Sequence, residues 1–304
     1  MWIFIGGMIR SGSTLEYDIA IELAVKYLGG ITLGYQEVAE LDSLLRKDGE
    51  LIPAPEVPTV VKTHVCTPDI QSILKGDSGA KAFYTYRDLR DVTVSAKRQF
   101  KLSFEDIRRK KWIESSIVDY FLWTGCSGVE VTSYVDLIGD RERAVSKIAE
   151  HLGIEISGDE VSRIAEKFSP EQQRLRQPDE EAEGKDGSLE LHPGHVGKGA
   201  VGAWKKDLPE EEVKELEQRF GGWMKERGFE LSDAGDLCSY DSFLEEMLRE
   251  QSSASRLHEQ VVREKEAELK RVYASVDELV MENELLQQSP LKRFWQSLGV
   301  KKSG

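Results

Sequence analysis

Four short apolar runs, rich in β-branched and aromatic residues, punctuate the first half of the chain. They are Trp2 to Ile5, Thr59 to Val61, Ala82 to Tyr86 and Val129 to Tyr134. Runs this short and this continuous read as buried strands. Stretches with helical periodicity separate them, such as Leu15 to Leu28 and Trp112 to Trp123. Strand alternating with helix predicts an α/β fold, with a central, mainly parallel sheet flanked by helices. Ligands of such sheets bind outside the carboxyl ends of the strands. The residues just after each run are therefore the candidates for chemistry.

The pattern breaks over residues 171 to 194. Gln177 to Gly187 is acidic, contains Pro178, Gly184 and Gly187, and has almost nothing to bury, so it reads as a surface loop. Pro209 then opens a helix with Glu210, Glu211 and Glu212 in its first turn, which should end near Arg227 and stop at Gly228. This completes an expected α/β domain over residues 1–235. Residues 236–289 differ in kind. From Tyr240 to Gln288 there is no proline or glycine, and Leu269, Val272, Val276, Leu279, Asn283 and Leu286 form an a/d heptad seam. The spacing predicts a long C-terminal helix whose residues 255–288 pair with a second copy as a coiled coil. A solitary solvated helix is the alternative. Residues 290–304 form a basic, aromatic tail with Lys292, Arg293, Phe294 and Trp295. It fits contact with an anionic membrane surface, or a frayed terminus.

Charge narrows the partners. The chain has 55 acidic and 41 basic residues, a formal net charge of −14. That excludes binding to nucleic acid or to an anionic membrane through bulk charge. Locally the sign reverses: Arg87 to Lys111 holds nine bases against four acids. Cys66, Cys126 and Cys238 are far apart and form no CxxC pair, which argues against a disulfide framework or a cysteine zinc site. No run of about 18 apolar residues is present, and the opening residues leave no room for a signal segment. The expected location is the cytoplasm, with peripheral contact at the inner membrane face through the tail.

The first run leads into Gly6-Gly7-Met8-Ile9-Arg10-Ser11-Gly12-Ser13-Thr14, and a helix pattern comes next. A glycine-rich turn between strand and helix presents backbone N–H groups to an anion. Gly7 to Thr14 nearly satisfies GxxxxGK[ST], but Ser13 stands where the lysine should be. A triphosphate-cleaving enzyme would lack its main charge clamp. Arg10 is the cation instead, which suits a smaller group such as a 5′-phosphate.

Arg10-Ser11-Gly12-Ser13-Thr14 resembles the 5′-phosphosulfate loop of sulfotransferases that use 3′-phosphoadenosine 5′-phosphosulfate (PAPS). Three more segments agree in order. Lys62-Thr63-His64, after the second run, is similar to the family's Lys-Thr-His, where the histidine is the base. Arg87 and Ser95, eight residues apart after the third run, resemble the 3′-phosphate pair. Lys198-Gly199, with Gly202, Trp204 and Lys205, resembles the segment that closes over the cofactor. Tyr134 occupies the Tyr of Tyr-Glu-Asp-Leu and is the candidate to hold the adenine. There are departures: Gly197 replaces an arginine, Leu15 an adenine-stacking tryptophan, and Val65-Cys66 the usual Leu-Pro.

The resemblance covers about residues 1–230 and implies in-line sulfuryl transfer, with adenosine 3′,5′-bisphosphate (PAP) leaving. His64 would take the acceptor proton, Arg10 and Lys62 would stabilise the developing charge, and no metal is implied. The first expectation for the acceptor is a carbohydrate or lipid-linked glycan, the second a small phenol or alcohol. Two other readings stay open: a P-loop-type kinase or NTPase, and a non-catalytic nucleotide-binding scaffold that works through its coiled coil.

Overall fold

Each of the four apolar runs forms a strand in the computed structural model, which describes residues 1–76, 78–175 and 200–232, together with residue 249. The chain divides into two units, Met1–Leu244 and Glu245–Gly304, and the elements named here belong to the first. β1 (Trp2–Gly7) leads into α1 (Ser13–Leu28), β2 (Ile31–Tyr35), α2 (Val38–Leu45) and a hairpin of β3 (Arg46–Lys47) and β4 (Glu50–Leu51). Next in order are β5 (Thr59–Lys62), α3 (Pro68–Lys75), β6 (Lys81–Tyr86), α4 (Leu89–Phe100), α5 (Phe104–Arg109) and α6 (Trp112–Thr124). Then come β7 (Val129–Ser133), α7 (Tyr134–Gly139), α8 (Arg141–Leu152), α9 (Gly158–Lys167), α10 (Pro170–Leu175), α11 (Trp204–Asp207) and α12 (Glu210–Glu226).

The main sheet runs β2-β5-β1-β6-β7, with every ladder parallel. β1 is central, and all six of its residues are buried. Helices cover both faces, which is why the strand reads as continuous apolar sequence rather than as alternation. On one face Ile3, Ile5, Val60 and Phe83 pack in a single cluster with Leu23 of α1, Val145 and Ile148 of α8, and Ile164 of α9. On the other, Trp123 of α6 reaches the sheet at Gly6. A Cβ on Gly6 would lie 2.8 Å from the Trp123 ring and 2.9 Å from that of Tyr84. Glycine is what allows the helix its close approach.

The chain turns from β1 leftward to β2, and from β5 rightward to β6. The strand order therefore reverses beside β1, and the loops after β1, β5 and β6 open into one crevice.

Three elements differ from the sequence expectation. β2 is an edge strand, half exposed, and its Thr32 and Gly34 disguise it. The β3–β4 hairpin turns on Asp48-Gly49, both at positive φ (52° and 83°), a strong hairpin signal that its two exposed, two-residue strands hide. Tyr134 does not end the last strand. It opens α7, because the Ser133 hydroxyl caps that helix by accepting from the Asp136 N–H at 3.1 Å. Pro209 and Gly228 bracket α12 as expected, Gly228 at φ 78°. The heptad seam over 255–288, the tail over 290–304, the acidic stretch from Gln177 to Gly187, and Lys198 and Gly199 lie outside the described residues.

Gly6→Val drives a branched side chain into the Trp123–Tyr84 contact. It is expected to lower the unfolding free energy by about 1–3 kcal/mol, read from the midpoint of urea denaturation at constant slope.

Candidate active site

The loop after β1 is shaped by close approaches. A Cβ on Gly7 would lie 2.4 Å from the Thr85 hydroxyl, and one on Gly12 2.9 Å from the Tyr134 ring, with Gly12 at φ 91°. Ser11 is fully buried beneath the loop. Its hydroxyl lies 2.6 Å from the Met8 carbonyl and 2.7 Å from the Thr85 hydroxyl, and its amide donates to the Met8 carbonyl at 3.1 Å. Met8 in turn donates to the Thr85 carbonyl at 2.9 Å. Ser11 thus fastens the loop to the end of β6 and turns its side chain inward. α1 starts at Ser13 behind a glycine N-cap. The first amides of a helix have no intrahelical acceptors and carry positive partial charge, so this end favours an anion.

Three cations converge on it. Lys62, at the end of β5 and only 4% exposed, donates to the Thr14 hydroxyl at 2.9 Å. Arg10, at φ 67°, donates through Nε to the Ser95 hydroxyl at 2.9 Å. Arg87 leaves β6 and donates to the Arg10 carbonyl at 3.2 Å and to the Ala200 carbonyl at 2.9 Å. Its guanidinium stacks 4.0 Å from the Tyr134 ring centroid. The buried Nε of Arg87 has no hydrogen-bond partner among the described residues. Burial, and then the neighbouring Arg87, pull the Arg10 guanidinium below its usual range. Like charges gathered in a low-dielectric crevice repel, and an orphaned guanidinium donor is costly. A bound polyanion would relieve both.

His64 stands just after β5. Its Nδ1 lies 2.7 Å from the Gly7 carbonyl. A carbonyl can only accept, so Nδ1 carries the hydrogen and the lone pair lies on Nε2. Burial first, then the charges of Lys62 and Arg10, push its pKa down to about 4, against the pull of the Gly7 bond. The ring is therefore neutral at physiological pH. α6 braces this segment twice. Trp123 Nε1 donates to the His64 carbonyl at 3.2 Å. The Asp119 carboxylate, pushed up to about 7 by burial, accepts from the Cys66 N–H. A proline at position 66, as in the usual Leu-Pro pattern, could make no such bond. Tyr35 stands 5.6 Å from the His64 ring, centroid to centroid. A bulge between Thr32 and Tyr35, with Gly34 at φ 72°, pairs Tyr35 with Lys62 and re-aims its ring.

The structure thus gathers Arg10, Gly12, Thr14, Lys62, His64, Arg87, Ser95 and Tyr134 around one loop, with Ser13 buried at its helix end. Leu15 packs into the core cluster. Sequence reasoning missed Thr85, Tyr35, Trp123, Asp119 and Asp91. Asp91 accepts backbone N–H groups from Gly202 and Trp204. The basic run from Arg87 to Lys111 is not a free cationic surface: Arg90, Lys97, Arg98, Arg108 and Arg109 pair with carboxylates. Among the described residues no three His, Cys, Asp or Glu are grouped to hold a metal ion.

A family model described as a sulfotransferase domain matches residues 3–228. No curated protein matches the sequence. Among solved structures, mouse sulfotransferase SULT7A1 complexed with PAP is 16% identical, with a TM-score of 0.56 over 74% of this chain and 84% of that one. Retinol dehydratase in complex with retinol and PAP is 17% identical, with a TM-score of 0.48 over 76% and 82%. The first of these likenesses concerns the fold alone.

The His64 ring is expected to titrate near pH 4 without ligand and to shift upward when PAP is added, because phosphates offset the cations that depress it. NMR titration of the His64 ring protons checks this. A midpoint near 6.5 in the free protein would contradict the described burial.

Proposed function

The chain belongs to the sulfotransferase family, and on that premise we propose that it uses PAPS to sulfate an acceptor hydroxyl, with His64 as general base. PAPS supplies, when bound, an activated sulfuryl group on a phosphate leaving group. The convergence of Arg10, Lys62 and Arg87 on the N-terminus of α1, beside a neutral histidine, carries the reading. The unmet Arg87 Nε and the glycine cradle at Gly7 and Gly12 fit a nucleotide with a phosphate at each end.

The chain's own groups divide the work. The N-terminus of α1 and Arg10 hold the 5′ side. Lys62, seated by Thr14, stabilises negative charge as it grows on the leaving oxygen. Arg87 and Ser95 hold the 3′ side, with Tyr134 as the aromatic surface beside them in place of the tryptophan absent at Leu15. His64 keeps its Nδ1 hydrogen on the Gly7 carbonyl, so Nε2 is the atom that takes the acceptor proton. A base with a pKa of about 4 is weak. Phosphates bound beside Arg10 and Lys62 strengthen it as the site fills, so proton removal is favoured only in the loaded site.

The acceptor is a glycan or a small phenol or alcohol. Tyr35 beside His64 favours the second class. So does the apolar exposure of Leu33, Val38, Leu51 and Val57 along the neighbouring segment. A kinase reading has no lysine at Ser13 to support it.

His64→Ala is expected to keep PAP affinity and to lose about 10²–10⁴-fold in turnover. Transfer from labelled PAPS to parallel panels of glycans and small phenols or alcohols, with products identified by mass, measures both the loss and the acceptor class. Wild-type turnover in the variant removes His64 from the chemistry, and PAP binding with transfer to no acceptor supports the scaffold reading.

A further inference from the structure

Asp91 lies one turn after Arg87, in the first turn of α4, with 1% of its side chain exposed. Both of its carboxylate oxygens are occupied by main-chain groups from a distant part of the sequence. Oδ2 accepts from the Gly202 N–H at 2.8 Å, and Oδ1 from the Trp204 N–H at 3.1 Å. Gly202, at φ 75°, makes the turn that presents both amides to one carboxylate. Arg90 adds its guanidinium 3.7 Å from the centroid of the Trp204 ring. Residues 200–204 are thereby fastened to the head of α4.

The fastening has a consequence for Arg87. Its fork is set by two carbonyls, those of Arg10 and Ala200. The place of the Ala200 carbonyl depends on the turn over residues 202–204, and Asp91 anchors that turn. Asp91 also faces Arg87 directly: Oδ2 lies 3.7 Å from the Arg87 guanidinium, at ion-pair rather than hydrogen-bond distance, against 2.8 and 3.1 Å for the amides. The carboxylate therefore acts on Arg87 in two ways, through this charge and through the returning segment. Among the described residues the Arg87 Nε keeps no hydrogen-bond partner.

We propose that Asp91 is a positioning residue: by latching Gly202 and Trp204 it fixes the Arg87 fork and so sets the preference for a nucleotide carrying a 3′-phosphate. This rests on the reading of Arg87 as the 3′-phosphate group. The test compares PAP with adenosine 5′-monophosphate, which lacks that phosphate, by calorimetry on the full chain. Wild type, Arg87→Ala and Asp91→Asn are measured. Asparagine keeps the shape, but it offers one acceptor oxygen and turns an NH₂ toward a backbone N–H.

Wild type should favour PAP, and Arg87→Ala should abolish the preference. Asp91→Asn should weaken PAP about tenfold, the worth of one charge-assisted hydrogen bond, and leave the monophosphate unchanged. The KM for PAPS should rise by the same factor, with kcat within about twofold. If Asp91→Asn binds both nucleotides as wild type does, or loses both equally, the latch has no positioning role, while the Arg87 reading stands. If wild type itself shows no preference, the Arg87 reading falls and takes the latch with it. Because Asp91→Asn also removes the direct Arg87–Asp91 charge, Gly202→Ala is measured beside it: it loosens the same turn and leaves that pair, since its Cβ meets open space but its φ is strained. The same selective loss, smaller, is expected in Gly202→Ala, and unchanged PAP affinity there overturns the latch.

Discussion

The site is governed by a repulsion. Arg10, Lys62 and Arg87 are brought to adjacent strand ends, and burial sharpens their mutual repulsion. Each cation is also oriented by neutral groups: Thr14 and Ser95 hydroxyls and the carbonyls of Arg10 and Ala200. Neutral acceptors orient a cation without cancelling its charge. The field therefore favours an anionic ligand and, after burial itself, helps to lower the His64 pKa, a depression that a bound anion relieves. Base strength and ligand binding are thus linked through shared charge, with no moving part required.

Several other basic residues, most of them on α4, are matched closely by carboxylates. Arg90, buried at 1%, is enclosed by Asp88, Glu217 and the Glu230 carbonyl. Lys97 meets Glu212, and Arg98 meets Asp207. The acidity of α12 and the basicity of α4 answer each other across a helix contact. Charge paired with charge serves packing here.

Much of this was legible in the sequence because the site lies where strands end. Arg10, Lys62, His64 and Arg87 each come after an apolar run, and runs buried on both faces are easy to see. The hidden parts are those whose signal is weak or distant. β2 carries Tyr35 on an edge strand, where half-exposure removes the continuous pattern, and the bulge that turns Tyr35 toward His64 leaves only Gly34 as a trace. Asp91 sits among acids and bases that read equally as helix capping, and its partners are backbone amides more than a hundred residues away. Cys66 stands where proline was expected. Its use became visible only with Asp119 beside its N–H. Ser11 matches its motif, yet its hydroxyl is turned into the fold.

Arg10 holds the left-handed backbone conformation that glycine adopts most easily. Selection for stability alone would favour Arg10→Gly, which relieves about 1 kcal/mol of backbone strain. The same step removes a cation from the anion site. A one-codon drift at this position would therefore yield a sturdier domain with a disabled loop. Persistence of arginine in descendants of this chain would mark purifying selection for anion binding, and glycine there would mark lineages released from it.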